Sequence, residues 1–342
     1  VDGLCPEHRV APIAIAERNC FFRLSKYQVR LEQLIADDVI AIRPERCKNE
    51  VLAFIRGGLH DISVSRAADR VANWGIPVPD HPDQIIYVWI DALINYLSGL
   101  GYDDSENYCK YWNRDTLKIH VIGKNVWKFH AIYWPALLLA AGLPLPDRIF
   151  VHGFLTVNGR KIGKSLGNGI DPAAVIHDCG AEAVRYYLLE TIPPFNDCDF
   201  SVENLVAVYN SHLANGIGNL CRRVRVLGEK CRYHHPAAAV PRDNFSSYAD
   251  NVERFRFNVA LDRIRDEVAV INQEIDRAKP WKLLKNEATV PLHQLLFGWY
   301  DRLGQIAEQL APFLPDCAAR IEDQLCHSAE TPTTQLFPRL RL

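Results

Sequence analysis

Methionine is absent from all 342 residues, and the first residue is Val1. A chain without this flexible thioether must fill its core gaps with branched aliphatic and aromatic side chains. Taken with the non-methionine start, the absence leads us to expect a fragment or a processed product. Also missing is any apolar run of membrane-spanning length, and residues 1–20 hold no apolar core of the kind that directs secretion. These absences predict no membrane partner and a place in the cytoplasm, or in an organelle matrix after loss of a transit peptide. Neither sign of charge predominates: 39 Lys and Arg stand against 41 Asp and Glu. Nucleic-acid contact would therefore need local basic patches rather than an overall field. The ten cysteines lack the dense spacing of a secreted disulfide framework and read as mostly reduced core residues.

What is present is organised around Gly159-Arg160-Lys161-Ile162-Gly163-Lys164-Ser165-Leu166-Gly167-Asn168. Compact ammonium groups on flexible stems suit a polyphosphate whose charge shifts during reaction, and glycines let the backbone come close. A solvated polar turn has the same composition, so the flanks decide. Upstream, Ile149 to Val157 reads as a strand ending in a hairpin; downstream, Asp171-Pro172 is an N-cap with proline at the first helical position.

Tyr27 to Asp37 predicts an amphipathic helix, and Asn49 to Ile55 another, stopped by Gly57-Gly58. Ile62 to Ser65 alternates as a strand. Ile85 to Ile90 is a continuous apolar run typical of a buried parallel strand, with a helix beginning at Asp91 from its carboxyl end. Leu117 to Ile122 is a second such strand, followed by a helix from Val126 to Ala141. This alternation predicts an open parallel sheet with the strand ends at Trp89, Ile122 and Gly153 facing one crevice. From Ala181 the pattern turns helical over Glu182 to Glu190, Val202 to Val226, Asn244 to Ala278 and Leu292 to Leu310, which predicts a helix bundle. The fold class is thus α/β followed by all-α.

Trp89, Ala92, Leu93, Tyr96 and His130 would converge at the crevice as an apolar-aromatic cluster with one imidazole; ordinary core packing uses the same residues. In the bundle, Asn215, Asn219 and Arg223 are spaced one turn apart, and Lys279-Pro280-Trp281-Lys282 sets an indole between lysines at a helix break. Amides and guanidinium read base edges and an indole stacks on bases, while an exposed helix face has the same composition. Cys5-Pro6-Glu7-His8 is either half of a tetrahedral zinc site, its other ligands lying upstream, or an ordinary surface turn.

His152-Gly153-Phe154-Leu155-Thr156 followed by Lys161-Ile162-Gly163-Lys164-Ser165 resembles the Lys-Met-Ser-Lys-Ser loop of class I aminoacyl-tRNA synthetases. Tyr87 to Ala92 with Tyr96, and Gly123-Lys124-Asn125 with Phe129-His130 and Trp134-Pro135, resemble the methionine-pocket segments of the methionyl-tRNA synthetase family. The resemblance covers nearly the whole chain. It implies the second half of a Rossmann-type sheet and an anticodon-binding bundle, divided as residues 1–45 (remnant of the connective insertion, with half a zinc knuckle), 46–165 (catalytic), 166–200 (stem-contact linker) and 201–342 (anticodon-binding). It implies that Lys161, Lys164 and Ser165 are catalytic, and that Trp89, Ala92, Leu93, Tyr96, Val126 and His130 bind methionine. Gly123, Asn125, His152 and the two lysines would hold ATP, and Asn215, Asn219, Arg223 and Trp281 the tRNA anticodon. ATP and Mg²⁺ are implied, and Zn²⁺ on Cys5 and His8; the partner is tRNA(Met).

Three departures qualify the resemblance. Asn125 stands where the family usually has Asp, which removes a charge from the ribose contact. Ile162, Leu137, Leu139 and Leu314 occupy positions where the family commonly has methionine. No His-x-Gly-His motif occurs, so the first half of the nucleotide fold is expected to be absent or supplied by another chain. The implied function is ATP-dependent activation of methionine and its transfer to tRNA(Met). A non-catalytic tRNA-binding fragment and an unrelated nucleotide-binding enzyme are the alternatives.

Overall fold

Leu31, Leu34 and Ile35 make the buried stripe of α1 (Gln28–Ala36), and Val51, Leu52 and Ile55 that of α2 (Glu45–Arg56), at the three-to-four-residue spacing that puts them on one helix face. The computed structural model describes residues 11, 16–72, 74–102, 105–163, 167–236, 246–326 and 335–341. Two units emerge, Val1–Val151 and His152–Leu342.

In the first unit, β1 (Phe21–Phe22) pairs antiparallel with β3 (Ile62–Ser63). The principal sheet has the order β2-β8-β7, where β2 is Ala41–Arg43, β7 is Ile119–Gly123 and β8 is Arg148–His152. β2 and β8 run parallel, with Ala41 opposite Arg148 and Arg43 opposite Phe150. Ile42, Ile122, Ile149 and Val151 from this sheet bury against Val51, Ile55 and Ile132. Each such side chain contributes about 2 kcal/mol by leaving water. A second sheet holds β4 (Ser65–Ala67), β5 (Pro77–Val78) and β6 (His81–Ile86), with β6 antiparallel to both neighbours. Helix α3 (Val88–Ser98) follows β6, and then come α4 (Glu106–Tyr111), a π-helical turn at Phe129–Tyr133 and α5 (Trp134–Ala141).

The run from Ile85 to Ile90 is therefore not a parallel strand, and Trp89 does not stand at a strand end. The chain leaves the sheet at Tyr87, whose N–H makes the last ladder bond to Val64 O at 2.8 Å. From there Trp89, Leu93, Tyr96 and Leu97 recur at helical spacing, so the helix begins at Val88, three residues before Asp91.

In the second unit, the hairpin of β9 (Leu155–Val157) and β10 (Arg160–Lys161) is joined by β11 (Cys198–Asp199), parallel to β9. Helix α6 (Pro172–Cys179) starts as its sequence requires, with Asp171 Oδ1 accepting from the Ala173 N–H at 2.9 Å. The bundle proper comprises α7 (Ala181–Glu190), then α8 (Val202–Val208) running through a π-helical stretch, Tyr209–Ile217, into α9 (Gly218–Lys230). Next are α10 (Ser246–Glu253), α11 (Phe257–Ala278), α12 (Pro280–Lys285), α13 (Thr289–Leu310) and α14 (Pro315–Cys326). Leu292, Leu296, Trp299, Leu303, Ile306 and Leu310 form one buried stripe of α13 facing Leu261, Ile264, Val268 and Ile271 of α11 in a common core.

The expected helix from Asn244 to Ala278 is two. Phe255 adopts a left-handed φ of 59° and buries its ring, so the chain turns between α10 and α11. Among the described residues no helix is long and apolar enough to cross a membrane.

Candidate functional site

α3, β7 and the π-helical turn build an aromatic wall in the first unit. Trp89 and Phe129 stack with centroids 4.2 Å apart and planes 16° from parallel. Leu93 is buried, Tyr96 half-buried and Ala92 exposed. Tyr96 Oη lies 2.9 Å from His130 Nε2, and His130 Nδ1 lies 3.1 Å from Val126 O. A carbonyl only accepts, so Nδ1 carries the proton and Nε2 accepts from the Tyr96 hydroxyl. Burial depresses the His130 pKa and raises that of Tyr96, which keeps both neutral.

His120 completes this wall and was not among the residues singled out from the sequence. It takes the Trp134 indole N–H on Nε2 at 3.2 Å, and its ring sits 4.3 Å from that of Tyr96. Burial, aided by His130, depresses its pKa to about 4. The signal was strand parity: along β7, Ile119 and Val121 are exposed whereas His120 and Ile122 are buried, so the imidazole shares the inward face. Of the expected nucleotide ligands in this unit, Gly123 ends β7 and Asn125 is exposed in the turn that follows.

The second unit carries the hairpin loop. At Gly153 an added Cβ would come within 2.0 Å of Asn196 O, so the backbone approach there admits only glycine. Asp199 anchors the hairpin, accepting from the Thr156 hydroxyl and from the Gly159 N–H at 3.0 Å to either oxygen. These bonds hold its pKa below the ordinary carboxylate value. Asn168 ties the loop's two arms, its Oδ1 accepting from the Gly163 N–H at 3.0 Å and its Nδ2 donating to Lys161 O at 3.1 Å. Lys161 is exposed with Nζ 4.4 Å from the Phe154 ring centroid. His152 Nδ1 donates to Gly153 O at 2.8 Å. Lys164 and Ser165 lie outside the described residues.

In the bundle, Asn215 Oδ1 accepts from Arg339 at 2.7 Å and Asn219 Oδ1 from Arg222 at 3.1 Å. Arg223 reaches instead across to α11, donating to Asn272 Oδ1 at 2.6 Å and pairing with Asp276. Trp281 is 51% exposed in α12, just after Lys279, whose φ of 47° marks the break. Among the described residues no group of three or more His, Cys, Asp or Glu is disposed to hold a metal ion. Cys5 and His8 lie outside them.

A family model described as tRNA synthetases class I (M) matches residues 2–225. The chain belongs to the methionyl-tRNA synthetase family of class I. Among curated relatives of this family, the methionine–tRNA ligase of Thermotoga maritima is 38% identical over 333 residues, or 94% of this chain and 52% of the relative. That of Nostoc sp. is 38% identical over 327 residues, covering 90% of this chain and 61% of its own. The chain thus spans about half the length of the curated relatives it matches. The methionyl-tRNA synthetase of Mycobacterium tuberculosis bound by methionyl-adenylate aligns with a TM-score of 0.84 at 33% identity, over 99% of this chain and 72% of that one. Its free-state structure aligns with a TM-score of 0.83 at 31% identity.

Proposed function

We propose that this chain carries the amino-acid pocket and the pyrophosphate-side loop of a methionine–tRNA ligase. The relay from the Tyr96 hydroxyl through His130 to Val126 O supports this best. It spends the imidazole's hydrogen-bonding capacity inside the wall. A thioether needs no hydrogen bond there and gains about 0.3–1.5 kcal/mol from sulfur-aromatic contact with rings such as Trp89 and Tyr96. A polar side chain of similar length would lose its water partners at roughly 1–3 kcal/mol.

In the proposed reaction, a carboxylate oxygen of methionine attacks the α-phosphorus of ATP and pyrophosphate leaves. The acyl group of the adenylate then passes to the terminal ribose of tRNA(Met), and AMP leaves. Lys161 and Lys164 stabilise charge on the departing pyrophosphate, and Ser165 belongs to the same loop. Mg²⁺ enters with the triphosphate and shares its charge. His152, Gly123 and Asn125 keep the nucleotide-binding roles that the family resemblance implies for them. Asn125 offers the ribose a neutral amide in place of a carboxylate, which lowers nucleotide affinity. Asn215, Asn219, Arg223 and Trp281 recognise the anticodon.

Calorimetric titration tests the pocket: methionine should bind more tightly than glutamine, and Trp89→Ala should abolish the preference. Equal affinity for both amino acids overturns the assignment. A second reading, a tRNA-binding fragment without catalysis, is favoured by the 52% share of the relative's length. Methionine-dependent pyrophosphate exchange separates the two.

A further inference from the structure

At four- and three-residue spacing, Asn215, Asn219 and Arg222 share one side of the helix that runs from the π-helical stretch into α9. With Arg225, and with Arg339 from the segment 335–341, they line a cavity of about 480 Å³ within the second unit. That is the size of a pocket that takes a whole small ligand or segment, not a single ion.

The carboxyl-terminal wall is firmly held. The Asn210 amide bonds the backbone of Leu340 in both directions, Nδ2 donating to its O at 2.9 Å and Oδ1 accepting from its N–H at 3.0 Å. Phe337 is 2% exposed and packs on Gly218, where an added Cβ would lie 3.0 Å from the ring.

Three guanidinium groups meet at this cavity, and among the described residues no carboxylate belongs to its lining. Arg225 is paired with Glu229. Arg222 and Arg339 each donate to an amide oxygen, of Asn219 and Asn215, and neither meets a carboxylate among the described residues. An amide oxygen orients a guanidinium without neutralising it, and most of its five N–H donors stay available. Elsewhere in the bundle Arg223, Arg265 and Arg302 are ion-paired, in contrast to the two guanidinium groups here.

We propose that the cavity binds a phosphodiester of an RNA backbone, with Arg222 and Arg339 as the phosphate ligands. Planar forks suit phosphate oxygens, and the Asn215 and Asn219 amides beside them suit a ribose hydroxyl. This rests on the proposed role in tRNA handling. It adds to that role a backbone contact that is indifferent to base sequence and formed by Arg222 rather than by the neighbouring, ion-paired Arg223.

The test titrates methionine-accepting tRNA into the full chain over a range of NaCl concentrations, with inorganic tripolyphosphate as a second probe. Arg222→Gln with Arg339→Gln should weaken tRNA binding about tenfold or more and flatten the log affinity against log salt slope by about one. Arg254→Gln, at an ion pair elsewhere on the unit, should change neither. If the double variant melts early, Arg222→Gln alone decides, because that side chain is exposed. Unchanged affinity and slope in folded variants overturn the proposal and leave the tRNA role standing. Failure of the unaltered chain to bind any tRNA overturns both. Variant-sensitive binding of tripolyphosphate with variant-insensitive binding of tRNA marks a small-anion site and also overturns it.

Discussion

Because the Trp134 indole occupies His120 Nε2, the neutral imidazole must carry its proton on Nδ1, and a second proton would have to displace the indole. The depressed pKa, about 4, expresses this together with burial. The sign follows directly: the folded state binds this proton less readily than the unfolded chain, whose histidine titrates near 6.5. Between those values the unfolded state holds more protons, so stability is complete above pH 6.5 and is lost as pH falls toward 4. The loss reaches about 3 kcal/mol for a shift of this size. Urea unfolding at pH 7 and pH 4.5 should show it, and His120→Gln should reduce the difference. An equal pH dependence in the variant would remove His120 as its source. Tyr96→Phe probes the same wall from the ligand side. It deletes the hydroxyl that donates to His130 Nε2, leaving an unsatisfied acceptor, and should weaken methionine binding by about 1 kcal/mol, roughly fivefold. A calorimetric affinity matching the unaltered chain would show that the hydroxyl does not shape the pocket.

In the first turn of helix α14 an N–H is met by another element. Glu182 of α7 accepts from the Cys317 N–H at 2.8 Å on one oxygen and from the Cys317 thiol at 2.6 Å on the other, and Arg320 reaches it at 3.1 Å. Burial and the carboxylate push the Cys317 pKa up, so the thiol stays protonated and donates. Glu182→Ala should therefore cost about 1–2 kcal/mol, the scale of a lost cap, and raise hydrogen exchange along α14 before the rest of the bundle. Uniform exchange across the unit would argue against a local clamp. The sequence could not display this contact, since its partners are 135 positions apart. Local signals were legible: the α6 cap at Asp171-Pro172 and the stop of α2 at Gly57 are both where they were read. Ile85 to Ile90 was misread because an apolar run is silent on period until the residues after it are included. His120 went unread because its partner Trp134 lies on another element, and only strand parity marked it. The two-helix break at Phe255 is likewise set by what that ring packs against, with no proline or glycine to announce it.

At the scale of the whole molecule, β7 is an edge strand, with β8 on one side and no strand on the other among the described residues. Its outward residues are apolar, Ile119 being 41% exposed and Val121 62%, and Leu117 just before the strand is 55% exposed. Bare strand edges with apolar faces invite further pairing. The relatives, of which this chain spans about half, have further polypeptide with which such an edge can be covered. A pocket and a lysine loop alone would bind methionine and phosphate, but binding without contacts made in the transition state gives no rate. We therefore expect the isolated chain to bind methionine and to give no methionine-dependent pyrophosphate exchange. Adding, as a separate polypeptide, the portion of the Thermotoga maritima ligase outside the matched region should restore exchange. Lys161→Ala should then lower the restored rate while methionine affinity holds, since the loop acts on the leaving pyrophosphate; removing one such preorganised charge typically costs about 10²-fold to 10³-fold, and Lys161 should fall at or below the lower figure. Exchange at an enzymatic rate by the chain alone would show that the relatives' further polypeptide is dispensable for activation, and equal losses of affinity and rate in Lys161→Ala would make that lysine a ground-state ligand.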